Sequence, residues 1–282
     1  MKKSPFKIVI LIIGFIFFVF SIWFLNAFFG NPISKMLATN TAKEYLATTY
    51  GDTDYYMEDI SYSFKDGNYH AFIKSPTSID TEFTLMLTML GKLRVDTYED
   101  VLSGFNTARR IESEYRELTD TVFDNPVFPY NCHISFGTLE IYPNELIENP
   151  ELDDIPTYSI NQDELILDKI YDIRELGKQA GHLIIYVESD IVTAERAVEI
   201  MLDIKKQFDS AKIPFFAMDF TLQYPRPEEG KRPEGEVSVK DFSYADINEA
   251  GMLDKVIEAD KALKEYYKEQ DLKKNLMQEI NG

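Results

Sequence analysis

The sequence predicts an α+β protein: an N-terminal transmembrane helix followed by two small domains with mainly antiparallel sheets and packed helices. Three observations carry this. Residues 8–34 form an uncharged run dense in Ile, Val, Leu and Phe. The rest of the chain mixes period-2 and helical apolar patterns, separated by Gly- and Asn-containing turns. Finally, Asp124-Asn125-Pro126-Val127-Phe128-Pro129 interrupts the pattern with two prolines, each holding its preceding residue extended.

The run from Ile8 to Phe29, taken as helix, is about 33 Å long, enough for a ~30 Å hydrocarbon core. Lys2, Lys3 and Lys7 precede it and no acid does. Positive flanks stay cytoplasmic, so residues 1–7 are expected to form a cytoplasmic stub and the body to lie outside the cytoplasm. The exit Asn26-Ala27-Phe28-Phe29-Gly30 offers no A-x-A-like cleavage site, and the sole cysteine, Cys132, excludes a lipoprotein route. The segment therefore reads as an uncleaved signal anchor in the cell membrane, with the lipid bilayer as its partner through residues 8–29.

Residues 34–123 are expected to form the first domain. Its opening helix has Leu37, Ala38, Ala42, Tyr45 and Leu46 at helical spacing and stops near Gly51. Ile60, Tyr62 and Phe64 alternate, as do Tyr69, Ala71 and Ile73, and the Lys65-Asp66-Gly67-Asn68 turn between them signals a hairpin. A third strand alternates Phe83, Leu85 and Leu87. One long helix, capped by Asp96 and Glu99, is expected to carry the stripe Tyr98, Val101, Phe105, Ala108, Ile111, Tyr115, Leu118 and Val122.

Residues 132–282 are expected to form the second domain. Strands are predicted near 132–142, 183–187, 214–224 and 236–244, giving a four-stranded sheet. Helices are predicted over about 163–179, from Thr193 to Phe208, and from a cap at Asp246 and Glu249 to about Ile280. Pro143–Pro156 and Pro225–Gly235 read as linkers.

The segments Gly30-Asn31-Pro32-Ile33-Ser34 into Ala42-Lys43-Glu44-Tyr45-Leu46, and Tyr62-Ser63-Phe64-Lys65-Asp66-Gly67-Asn68-Tyr69 into Ser75-Pro76-Thr77-Ser78-Ile79-Asp80, resemble the YfjL-like proteins of low-GC Gram-positive bacteria. The resemblance covers the anchor and first domain well and the second domain loosely. It implies a membrane-anchored exported protein and brings no catalytic residue with it.

Composition narrows the function. All 48 acids and 26 of the 29 basic residues follow Lys7, so residues 8–282 carry a formal −22. Such a surface repels nucleic acid and anionic lipid head groups, and no nucleic-acid partner is expected. One cysteine excludes a disulfide framework and a Cys-rich zinc site.

Motifs are sparse. His70, His133 and His182 belong to no H-x-x-x-H or H-x-E pattern, and as isolated sheet residues they read as structural. Cys132 and His133, adjacent on a strand, point to opposite faces and cannot form a thiol–imidazole pair. The one S-x-x-K, Ser4 to Lys7, lies in the stub, and G-x-S-x-G and phosphate-binding loops are absent. Asp52-Thr53-Asp54 starts like a calcium loop, but Tyr56 stands at a ligand position. Glu148, Glu151, Asp153 and Asp154 read as a solvated acidic linker. No catalytic, cofactor-binding or metal-ligating residue is assigned, and no cofactor. The expected function is a non-catalytic extracytoplasmic binding or interaction module. The alternatives are a cell-envelope hydrolase with dispersed catalytic residues and an accessory subunit of a membrane signalling or secretion complex, with a membrane or envelope protein as partner. A deep pocket gathering perturbed carboxylates or His182 would favour the hydrolase.

Overall fold

The computed structural model describes residues 5–149, 155–225, 227 and 235–281. The chain divides into two compact units, Met1–Thr107 with Ile166–Asp168, and Ala108–Leu165 with Lys169–Gly282.

The first unit begins with α1 (Pro5–Phe29), whose Val9–Phe20 side chains are all exposed. Among the described residues, one helical stretch is long and apolar enough to cross a membrane, and α1 supplies it. Asn31 then caps α2 (Pro32–Thr49): its side chain accepts from the Ser34 N–H at 2.8 Å, and Pro32 occupies the first helical turn. Ala38, Ala42 and Leu46 bury one face of α2, with small residues near its start allowing close approach to the sheet.

That sheet has the order β1 (Tyr56–Ser63), β2 (Asn68–Lys74), β3 (Glu82–Leu87) and β4 (Leu93–Asp96), antiparallel throughout. The expected hairpin forms with Ser63 opposite Asn68, and Gly67 at φ +69° supplies the left-handed turn residue. β4 is an addition to the expected three strands: Leu93-Arg94-Val95-Asp96 is too short to show an alternation above background. The long helix expected after Asp96 is also broken. Asp96 accepts the hydroxyls of Tyr45 at 3.0 Å and Tyr50 at 2.7 Å and the Tyr98 N–H at 3.0 Å, which commits it to the sheet edge. Helix α3 (Glu99–Leu102) is therefore one turn, and α4 (Phe105–Phe123) starts after Gly104.

The first compact unit includes α4 up to Thr107, and the rest of α4 belongs to the second. From Ala108 onward the α4 side chains Ile111, Tyr115 and Val122 pack in the cores of the second unit. That unit continues through β5 (Cys132–Leu139), β6 (Ile141–Tyr142), α5 (Asn144–Ile147), β7 (Ile160–Asn161), α6 (Ile173–Ala180), β8 (Gly181–Glu188), α7 (Ala194–Ala211), β9 (Ala217–Gln223), β10 (Glu236–Ser243) and α8 (Met252–Asn281). The expected four-stranded sheet is present in the order β10-β9-β8-β5. β8 and β9 run parallel, joined by a crossover through α7, and the other two pairs are antiparallel. Leu183, Ile185 and Val187 of β8 meet Ala197, Ile200, Met201, Ile204 and Phe208 of α7 in the main core.

Two of this unit's three expected helices start elsewhere. Residues 163–171 are not continuous helix, because Asp168 adopts φ 62° and is bonded in the first unit, to the Ser78 hydroxyl at 2.8 Å and the Asp80 N–H at 3.0 Å. α6 consequently begins after its Asp172 cap, which accepts the Arg174 N–H at 3.0 Å. α7 starts as expected, with Thr193 accepting the Arg196 N–H at 3.2 Å. Asp246 lies in a short turn that precedes α8 rather than capping it. Lys2 and Lys3 of the stub, the linker acids Glu151, Asp153 and Asp154, and residues 228–234 of the second linker lie outside the described residues.

Candidate functional site

In the second unit, buried His182 and Glu140 meet half-buried Asp219 and Tyr158 and exposed Asp241. His182 opens β8, the strand paired on both sides, opposite Thr138 of β5 and Ala217 of β9, and is 4% exposed. Glu140 follows the end of β5 and is also buried. Asp219 lies on β9. Asp241 sits in β10 where the register skips between Val239 and Phe242, with φ 50°. An extra residue in a bulge re-aims a side chain, and here the bulge brings Asp241 beside Asp219.

The ring is held from both ends. His182 Nδ1 lies 2.6 Å from Glu140 Oε1, and Nε2 lies 2.9 Å from Asp219 Oδ1. Tyr142 donates its hydroxyl to Glu140 Oε2 at 2.7 Å, and the Asp241 N–H donates to Asp219 Oδ1 at 2.7 Å. Tyr158 donates to Asp241 Oδ1 at 2.7 Å, and its oxygen lies 3.3 Å from His182 Nδ1. Burial pushes the imidazole pKa down, but Asp219 and Glu140 outweigh it and raise the pKa to about 9. Burial pushes Glu140 up, and the hydrogen bonds from His182 and Tyr142 overcome it, leaving its carboxyl below the usual range. Burial, with the bond to Asp241, raises the Tyr158 phenol.

His182 is thus an imidazolium at neutral pH, with both N–H groups donated to carboxylates. In that state it offers no lone pair to a substrate proton. Its Nε2, Asp219 and Asp241 nonetheless place one ligand atom each within 4.8 Å of one another, a set able to hold a divalent ion if the Nε2 proton leaves.

Beside this network lies a groove of about 500 Å³. Phe216 joins the two, stacking on Tyr158 with ring centroids 4.3 Å apart while lining the groove. Ile213, Pro214, Phe215, Phe216 and Tyr244 give the groove an apolar floor, and Arg174, Lys178 and Lys212 stand around it with the acids Glu175 and Asp209. Asp209 is already engaged: it accepts Lys205 Nζ at 3.0 Å and the Tyr244 hydroxyl at 2.8 Å. Arg174, Lys178 and Lys212 are exposed and make no ion pair among the described residues.

The other residues singled out by sequence stay apart. His70 bonds Asp66 at 2.8 Å across its own hairpin, and His133 is exposed. Cys132 packs half-buried against the main core, where burial raises its thiol. Asp54 accepts the hydroxyls of Ser75 and Thr77, which places it in a local loop network. The sequence reading missed Glu140, Tyr158, Asp219 and Asp241, which lie 24 to 59 residues from His182. It also missed the cations of the groove. Lys212 ends α7 at φ 55°, and Arg174 and Lys178 are one turn apart on α6, spacings that carry no motif.

Neither a curated protein nor a solved structure matches the chain. Family models do match: the YfjL-like N-terminal domain over residues 5–99 and the YfjL-like C-terminal domain over residues 114–258. Both parts of the chain, including the half to which sequence reading extended the resemblance only loosely, belong to the YfjL-like family.

Proposed function

We propose that the chain is a membrane-anchored extracytoplasmic binding module whose second unit takes an anionic ligand with an apolar part into the groove of α6, α7 and β10. The observation that carries this reading is the trio Arg174, Lys178 and Lys212, unpaired around an apolar floor in a protein of net charge −19. Some cations on this surface find acids nearby, as Lys205 finds Asp209 and Lys264 finds Asp260. Three that do not, set around aromatic rings, suit a phosphate or carboxylate attached to an apolar body. The anchor at residues 8–29 and an outward-facing body would hold that ligand near the envelope.

The test is a calorimetric titration of the full-length chain in lipid nanodiscs with phenyl phosphate, and with benzyl alcohol as the uncharged counterpart. Saturable binding of the phosphate alone is expected. Equal behaviour of the two probes would remove the charge argument.

The hydrolase reading keeps one point in its favour, the gathering of His182 with Glu140, Asp219 and Asp241. Against it, both ring nitrogens are committed to carboxylates, and none of the four residues lines the groove.

A further inference from the structure

The first unit carries an unusual surface where α1 ends. Phe29, Ile33, Met36, Leu37, Phe64 and Leu90 are all exposed, Leu90 by 84% and Phe64 by 60%. They come from three separate segments that local contacts bring to one place. Phe64, at the β1–β2 turn, stacks on Phe28 with centroids 5.7 Å apart, and Tyr62 donates its hydroxyl to the Ala27 carbonyl at 3.1 Å. The β3–β4 turn lies on α2: a Cβ on Gly91 would stand 2.9 Å from the Leu37 backbone. Along α2, Ile33, Met36 and Leu37 form an apolar stripe confined to the first turns, with polar Asn40 and charged Lys43 and Glu44 beyond.

Each apolar element also carries a lysine. Lys35 lies in the first turns of α2 but on the side of the helix away from the stripe, Lys65 follows Phe64, and Lys92 follows Leu90 by two residues. All three are exposed and unpaired among the described residues. Exposed apolar patches mark interaction sites, and this one adjoins α1 through the Phe28–Phe64 stack. Apolar side chains dipping to the acyl boundary, with lysines beside them at headgroup level, are the composition of an interfacial contact.

We infer that the first unit rests on the membrane, with this apolar collar entering the interface and Lys65 and Lys92 meeting anionic lipid headgroups. The inference depends on reading α1 as a membrane anchor. It goes further by fixing which face of the unit touches lipid. A second protein or an unoccupied patch are the competing outcomes.

The experiment uses the full chain in proteoliposomes of phosphatidylcholine and phosphatidylglycerol, with and without brominated acyl chains, and reads tryptophan quenching. The native chain, whose only tryptophan is Trp23, reports on the anchor itself. In a Trp23→Phe background, Phe64→Trp and Leu90→Trp report on the collar. Tyr56→Trp, exposed at the other end of β1 and about 25 Å from Phe64 at ~3.3 Å per residue, is the control. Bromolipid quenching of the Phe64 and Leu90 variants, with the Tyr56 variant unquenched, is the expected result. Replacing Lys65 and Lys92 by glutamate should cut the collar quenching at least twofold. Quenched Trp23 with unquenched collar variants would overturn the inference and leave the anchor standing. Unquenched Trp23 would overturn both. Circular dichroism of each variant confirms folding, which substitution at these exposed sites should preserve.

Discussion

The hydroxyl of Tyr69 holds both backbone polar groups of Asn31, accepting its N–H at 2.9 Å and donating to its carbonyl at 2.9 Å. Tyr69 lies on β2 and is 1% exposed, so the clamp is rooted in the core of the first unit. It explains why Gly30 sits at the end of α1. A Cβ there would meet the Tyr69 oxygen at 2.4 Å and the Tyr62 ring at 2.9 Å, and the local φ is +67°. The exit of the helix is thereby fixed to the sheet rather than tethered by a loose linker.

Tyr69→Phe should destabilise the protein by about 1–3 kcal/mol, since it removes both bonds and leaves an N–H and a carbonyl without them. Thermal unfolding of the full chain in detergent, followed by circular dichroism, measures this. An unchanged midpoint would mean that water replaces the hydroxyl at no cost.

His182→Ala should cost more, about 3–5 kcal/mol, because it strands Glu140 as a buried carboxylate that keeps Tyr142 as its remaining side-chain donor. Replacing His182 and Glu140 together by Met should recover much of the loss. A single-variant loss below about 1 kcal/mol would show that the network is not the stabilising element it is taken for here.

The lone thiol supplies a pH readout. Burial pushes Cys132 up to about 11, against a lowering hydrogen bond with Ser135. The folded chain keeps a proton that the unfolded chain releases near ~8.5. The associated stability is therefore fully present below that value and lost as pH rises through 11. Iodoacetamide should label the folded protein slowly at about pH 8 and faster toward pH 11, while the denatured chain labels readily at the lower pH. Equal rates for folded and denatured chains would contradict the burial.

The outward orientation proposed for the body rests on Lys2, Lys3 and Lys7 before the apolar run of α1. Protease added to intact protoplasts should digest the body, and full protection would reverse the assignment.

Much of the fold was legible because it rests on local periodicity. The Asp66-Gly67 hairpin, the Thr193 cap and the buried β8 run carry their signals within a few residues. The misreadings share one physical cause, a tertiary bond overriding local preference. Asp96 looks like a helix cap, but Tyr45 and Tyr50 claim it. Asp168 interrupts an apparently helical stretch because Ser78 and Asp80 hold it. The His182 network was illegible for a related reason. Its partners stand on four separated segments, and a β-bulge, invisible to alternation, brings Asp241 into place. Nor does spacing show which lysines find acids, so the groove emerges only from the packed structure.

The claim that the groove takes an anion is tested most directly by reversing its charge. Arg174→Glu and Lys178→Glu lie on exposed positions of α6 and should leave the unfolding midpoint unchanged. With both in place, phenyl phosphate binding to the full-length chain in nanodiscs should weaken by about tenfold or more, roughly 1.4 kcal/mol. An affinity equal to that of the native chain would contradict the account.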